Sequence, residues 1–318
     1  MRMPFGRPSL RPYLAHRQPV LTGARASDGG GLRACFLGTS SVFLDDGETS
    51  VLCDGFVTRP GLLRVGLGRI APDRALVRAA IERLGARSLS AVFCAHSHYD
   101  HALDAPVWSL ETGADLVGSE STANIGRGLG VPSSSLRVVA DGDTLAYGRF
   151  ELTFIDSPHS PGDHFPGTVD APLVPPARAG AWQTGDAFSV LVAHPSGRIL
   201  LHASANFRPG MLTGHRADAV YLGIGALGKQ PPEFARRYWD EVVGATGARR
   251  VVLVHWDDFF TGLHRPLRPM PRFADRVDTA LGMILPLAER DGVEVLIPSA
   301  WEPTDPLTGT GRPDRHRG

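Results

Sequence analysis

Residues 91–104, Ala-Val-Phe-Cys-Ala-His-Ser-His-Tyr-Asp-His-Ala-Leu-Asp, constrain this chain more than any other stretch. The small or apolar residues 91–95 read as a buried strand and lead straight into His96, His98, Asp100 and His101. A strand end is rigid, and the turn after it can aim alternate side chains at one point. His96 and His98 can therefore bind one ion while Asp100 and His101 turn toward a second. Imidazole with carboxylate suits zinc, and also iron or manganese. A polar loop that is merely rich in histidine would not be expected to show this density and order.

A chain of 318 residues can bury a large core, as one big α/β domain or two smaller ones. Its formal net charge of zero leaves no field for a polyanion, so no nucleic-acid partner is expected. Cys35, Cys53 and Cys94 are scattered through apolar, strand-like runs, which reads as free buried thiols in a reducing, cytoplasmic setting. Cys94 is close enough to the histidines to ligate, but its strand neighbours favour a core position. No stretch of about 18 apolar residues is present, so no membrane span is expected. Residues 1–30 are rich in Arg, Pro and Gly and lack a continuous apolar segment. They read as a mobile arm that can pack on the domain or on a second copy in a homo-oligomer. The domain proper is expected over 31–302, with a polar tail over 303–318.

Apolar runs at 33–37, 41–44 and 49–53, separated by turn residues, predict an opening β-meander. A helix starts at Pro72-Asp73, with Ala75, Leu76, Ala79, Ala80 and Leu84 read as its apolar face. Residues 102–112 read as a helix stopped by Gly113, followed by a short strand at 116–117 and a helix at 119–127. Strands are expected at 136–139, 144–147 and 151–155, and a hairpin at 188–193 and 198–202. Between them, 157–187 is too long for an ordinary connection and reads as a lid or substrate loop. Strands at 219–222, 251–254 and 293–297 and helices at 232–243 and 273–290 complete the chain. Strands dominate both halves with helices interspersed, which predicts two packed sheets with helices outside rather than a doubly wound sheet.

His-x-His-x-Asp-His after an apolar strand resembles the signature of the metallo-β-lactamase superfamily, and the resemblance covers roughly residues 32–300. It implies an α/β fold, an αββα sandwich of two mixed sheets flanked by helices, and a dinuclear metal site. His159 follows the strand at 151–155, where the family's third histidine for the first metal falls. His255 ends the strand at 251–254, where the last histidine for the second metal falls. The resemblance thus implies His96, His98 and His159 for one ion and Asp100, His101 and His255 for the other, with Asp100 and His101 also catalytic. Asp54 closes an early strand, where the family has an aspartate that supports the metal histidines. Asp54 and Asp104 could equally cap backbone N–H groups. One departure stands out: Ser204 falls where the family has an aspartate bridging both metals. Asp186 sits in a similar Thr-Gly-Asp motif but too early in the chain, and reads as a loop residue.

The resemblance implies a zinc-dependent hydrolase that turns a metal-activated hydroxide on a lactone, ester or phosphodiester. His-Ser-His-Tyr-Asp-His and the later His255-Trp256-Asp257-Asp258-Phe259 are similar to the branch holding ascorbate-6-phosphate lactonase and N-acylphosphatidylethanolamine phospholipase D. This points to a small-molecule or lipid-like substrate carrying an anionic group, with Arg59, Arg208 and His164 as candidate substrate contacts. His202 is a further candidate, next to the site in the alignment but in a strand, where it can equally face away. A mononuclear-iron oxidoreductase on the same fold is the alternative reading, and a degenerate metal-binding protein without catalysis is the third.

Overall fold

In a computed structural model that describes residues 6–21 and 31–307, the strands follow from alternating burial on two faces. Val251 and Leu253 enter one apolar cluster while Val252 and Val254 enter another. Ala91 and Phe93 divide from Val92 and Cys94 in the same way. A strand buried on both faces must lie between two apolar layers, and that dictates the sandwich.

Among the described residues the strands form two seven-stranded mixed sheets. The first runs in the order β14 (Pro303–Thr304), β1 (Arg33–Phe36), β2 (Val42–Asp45), β3 (Ser50–Cys53), β4 (Leu89–Phe93), β5 (Asp115–Gly118) and β6 (Leu136–Val138). Its meander β1–β3 is antiparallel and β3 to β6 are parallel. The second runs β13 (Glu294–Leu296), β12 (Arg250–Val254), β11 (Ala219–Gly223), β10 (Gly197–His202), β9 (Phe188–His194), β8 (Phe150–Asp156) and β7 (Thr144–Tyr147). Here β10 to β13 are parallel, and β7 to β10 antiparallel.

The two sheets share one apolar layer that includes Leu44, Phe93, Phe154, Val190 and Tyr221. Helices α1 (Leu62–Leu67), α2 (Arg74–Leu84), α3 (Tyr99–Ala102), α4 (Ala105–Thr112) and α5 (Glu120–Leu129) accompany the first sheet. Around them a second layer forms on Trp108, whose ring nitrogen donates to Gly55 O at 2.7 Å. Helices α6 (Pro232–Trp239) and α7 (Val277–Asp291) cover the outer face of the second sheet through Tyr238, Trp239 and Ile284. The expected αββα sandwich is therefore the fold.

Several local expectations change. On α2, Val77 and Ala80 are buried while Leu76 is 45% exposed, so the apolar face lies one residue round from the expected one. Asp73 caps that helix by accepting from Ala75 N and Leu76 N. The single helix expected over 102–112 is two, α3 and α4, with a break before Asp104. Asp104 stands at the N-cap of α4, but its side chain makes no capping bond there. Buried in that break, it accepts from Val57 N, Thr58 N and Thr58 Oγ1 and so ties the loop after β3 to the metal-motif segment. Pairing of Ala34 with Thr304 carries the first sheet past the expected domain end at 302. Residues 6–21 of the expected arm lie on the domain: Gln18 N donates to Ile297 O, Leu21 N to Pro303 O, and Leu10 and Tyr13 meet the second sheet's outer layer. The remainder of the arm, 1–5 and 22–30, and the tail residues 308–318 lie outside the described residues.

Candidate metal centre

The expected ligands sit on segments that follow strand ends at one edge of the sandwich: His96, His98, Asp100 and His101 after β4, His159 after β8 and His255 after β12. One ligand atom from each of His96, His98 and His159 lies within 4.8 Å of the others, and the same holds for Asp100, His101 and His255. Nε2 of His96 and Nδ1 of His98 are 3.1 Å apart. The two groups touch through the rings of His96 and His101, whose centroids are 3.8 Å apart. His255 Nε2 is 3.3 Å from Asp100 Oδ2, inside the second group.

Strained backbone holds this edge in place. Asp54 and His255 adopt φ values of 58° and 57°, a left-handed region that non-glycine residues enter at a cost. His255 N also donates to Thr39 O, itself in a residue with φ 54°. A side chain at Gly225 would put its Cβ 2.7 Å from His255 Nδ1, so only glycine lets that ring lie where it does.

Two carboxylates orient the rings from outside. Asp54, fully buried, accepts from Ser40 Oγ at 2.6 Å, from His101 Nδ1 at 2.8 Å and from Ala95 N at 2.9 Å. With the Nδ1 proton engaged there, His101 turns Nε2 toward Asp100, 3.7 Å away. Asp163, which the sequence shows only as the neighbour of His164 in the long loop, is the second. Its Oδ1 is 3.2 Å from His98 Nε2 and its Oδ2 is 3.7 Å from His159 Nδ1. Thr184 Oγ1 and Phe165 N both donate to it, which fixes the carboxylate against the outer side of the first group. A signal was present, an aspartate four residues after His159, but its geometry depends on the folding of the long loop.

Electrostatics follow from this packing. Burial, reinforced by the neighbouring rings, pushes the pKa of His96 well down; burial likewise lowers His98 and takes His159 down to about 4. All three are thus neutral imidazoles with a lone pair to give. Burial alone would raise the Asp100 carboxyl, but His101 and His255 outweigh it and hold it below the usual range. For His101, burial opposes protonation, yet the carboxylates of Asp54 and Asp100 raise its pKa. These residues fit a cation: three neutral imidazoles converge at one point, and an ionised carboxylate with two further imidazoles at the other. Buried Nδ1 atoms of His96 and His159 also lack a hydrogen-bond partner.

A cavity of about 950 Å3 opens over the centre and is lined by His98, Asp100, His159 and His255 together with His164. His96 and His101 are almost fully buried and are not among its lining residues. The structure brings only His164 of the three expected substrate contacts into this cavity. Arg59 is a correction: its side chain is fully buried, ion-paired with Asp257 at 2.5 Å, and props the loops rather than facing substrate. Arg208 is another, held by the carboxylate and the backbone oxygen of Asp156 on the exposed surface. His202 is buried between Ser189 Oγ at 2.6 Å and Asn206 O at 3.0 Å. Asp186 is exposed and belongs to neither ligand group. Ser204 is buried in the turn after β10, beside the His159 loop: Ala205 N donates to Ser160 Oγ, and Asn206 Nδ2 to His159 O. Cys94 is a free, fully buried thiol whose pKa burial pushes far up, as a core residue requires.

The fold recurs in solved structures. One is "a possible metal-dependent hydrolase from Veillonella parvula", 14% identical, with a TM-score of 0.54 over 87% of this chain and 99% of that one. An isothiocyanate hydrolase from Delia radicum gut bacteria is 15% identical, with a TM-score of 0.52 over 86% and 98%. CmlA, a diiron beta-hydroxylase from Streptomyces venezuelae, is 17% identical with a TM-score of 0.53 over 87% of this chain, which spans 56% of that longer protein. A search of curated protein sequences finds no match. The family model of the metallo-beta-lactamase superfamily matches residues 36–279, and with both ligand groups and the sandwich in place the chain belongs to that superfamily.

Proposed function

We propose that this protein is a zinc-dependent hydrolase of a lactone, ester or phosphodiester. The observation that carries the reading is the convergence of six side chains from three segments into two ligand groups beneath one cavity. His96, His98 and His159 would hold one ion and Asp100, His101 and His255 the other. Bound there, the ions supply Lewis acidity and a water nucleophile at neutral pH. Asp54 and Asp163 keep the rings aimed, and Asp100 stays ionised near the reacting atoms. His164, in the loop that lines the cavity, would give a proton to the departing group.

Ser204 stands where the family resemblance puts a bridging aspartate, so two ions held here would carry one more net positive charge than with an aspartate. Ser204→Asp is expected to tighten binding of the second ion in metal analysis; unchanged stoichiometry, affinity and pH profile would sink this point. Similarity to the branch holding ascorbate-6-phosphate lactonase supports the lactone arm of this reading, and the three buried thiols favour a cytoplasmic location. Metal quantification on protein purified without added metal, followed by a screen of lactones, esters and phosphodiesters, tests the whole reading. A second reading, an iron oxidoreductase, draws support from the diiron enzyme that shares the fold. Bound iron with oxygen consumption and no hydrolysis would replace the first reading with the second.

A further inference from the structure

The wall of the cavity carries information about the substrate that the ligand groups do not. Leu62 and Val65 of α1, Phe165 of the long loop, and Phe259, Phe260 and Phe273 form much of it. Leu62 is 48% and Phe273 54% exposed, so apolar surface is left facing water at the mouth of the proposed catalytic cavity. The arginine on the same wall is already matched. Arg7 reaches in from the N-terminal segment but pairs with Asp258 at 2.6 Å. Asp258 is further engaged by Phe260 N and Thr261 Oγ1. Lys229, the chain's one lysine, also lines the cavity, where the charge of the Asp275 carboxyl reaches it without a direct ion pair. Arg59 and Arg208, which could have met an anion, are committed to Asp257 and Asp156.

We infer that the substrate is an uncharged carboxylic ester or lactone with an aliphatic or aromatic body. That body lies along the Leu62, Val65, Phe165, Phe259, Phe260 and Phe273 wall, and its carbonyl reaches the histidines. This rests on the hydrolase reading above and narrows its substrate. In the reaction, water adds its oxygen to the acyl carbon, and the acyl C–O bond breaks with its electron pair on the alcohol oxygen. That oxygen takes one of the water protons, and the other is released as the new acid ionises. The apolar wall contributes by removing the body from water while the carbonyl is presented. An anionic diester would instead bring its charge to a mainly apolar wall whose arginine already faces a carboxylate.

The test uses metal-loaded full-length protein with p-nitrophenyl acetate, butyrate and octanoate, and with bis(p-nitrophenyl) phosphate. Burial of each added methylene is expected to raise kcat/KM by roughly fourfold over the first few carbons. The phosphodiester should be turned over more slowly than the octanoate. Leu62→Asp, at a half-exposed position, should cut the octanoate-to-acetate ratio by about tenfold or more, with a thermal melt confirming the fold; if it does not fold, the wild-type profile decides. A flat chain-length profile, an unchanged ratio in folded Leu62→Asp, or faster phosphodiester turnover overturns the inference while leaving a hydrolase. Hydrolysis of none of the four substrates overturns the hydrolase reading as well.

Discussion

Asp54→Asn separates the orienting role of a carboxylate from its backbone role. Asparagine tolerates the left-handed φ of 58° as well as aspartate does, so the substitution changes hydrogen bonding with little change in strain. One amide oxygen can still accept from Ala95 N, but the amide nitrogen cannot accept from Ser40 Oγ or His101 Nδ1. Leaving a buried donor unmet costs about 1–3 kcal/mol. Ser40 can rotate its hydroxyl, while His101 can relieve its clash only by moving its proton to Nε2, the nitrogen that faces Asp100. Stability should therefore fall by about 1–3 kcal/mol. Affinity at the second ligand group should fall about 10- to 100-fold, while the first group changes little. Urea unfolding measures the former, and competition with a chromophoric chelator the latter. Loss of stability with both affinities intact would refute the tautomer argument and leave Asp54 as scaffold alone.

Other expectations follow from groups away from the ligands. Burial alone would raise Asp46, but Thr49 N, Glu48 N, Arg149 and His194 together hold its pKa down to about 2. Its ionised form thus stabilises the fold by about 2 kcal/mol above the unfolded pKa, a gain lost as pH falls toward 2. Asp46→Asn should lose that amount at pH 7, and its gap to wild type in urea unfolding should close in acid; a gap independent of pH would refute the linkage. Burial takes His202 down to about 4, so between about pH 6.5 and 4 the unfolded chain binds the proton that the native site refuses. The native state should lose up to about 3 kcal/mol across that window, and His202→Asn should remove this slope from pH-dependent melting. Arg59→Ala leaves Asp257 buried without its cation and should cost about 3–5 kcal/mol, whereas Arg208→Ala, at an exposed pair, should cost no more than about 1 kcal/mol. Comparable melting shifts for both variants would contradict that assignment.

What was legible in the sequence was what short-range pattern encodes. Residues 91–101 join a period-two strand to a cluster of ligands, and strands β8 and β12 deliver His159 and His255 at their ends. Partner choice between distant segments was not legible. Arg59 meets Asp257 across 198 residues, and Arg208 meets Asp156 across 52. Nothing in either neighbourhood reveals that these cations are already satisfied. Asp163 gains its role only when the long loop folds back so that Thr184 and Phe165 position it under His98. The shifted face of α2 has a similar cause: Val77 is buried by the tertiary contact of that helix with α4, which overrides the alanine-rich stripe. Strand β14 has two residues and no periodicity to read.

The central claim is that two ligand groups each hold a divalent ion, and equilibrium metal titration of the apo-protein tests it most directly. The account expects two ions per chain, with His96→Ala abolishing the first site and His255→Ala the second while each variant stays folded. Stoichiometry of one ion per chain or fewer in the wild type, or both sites surviving either substitution, would contradict it.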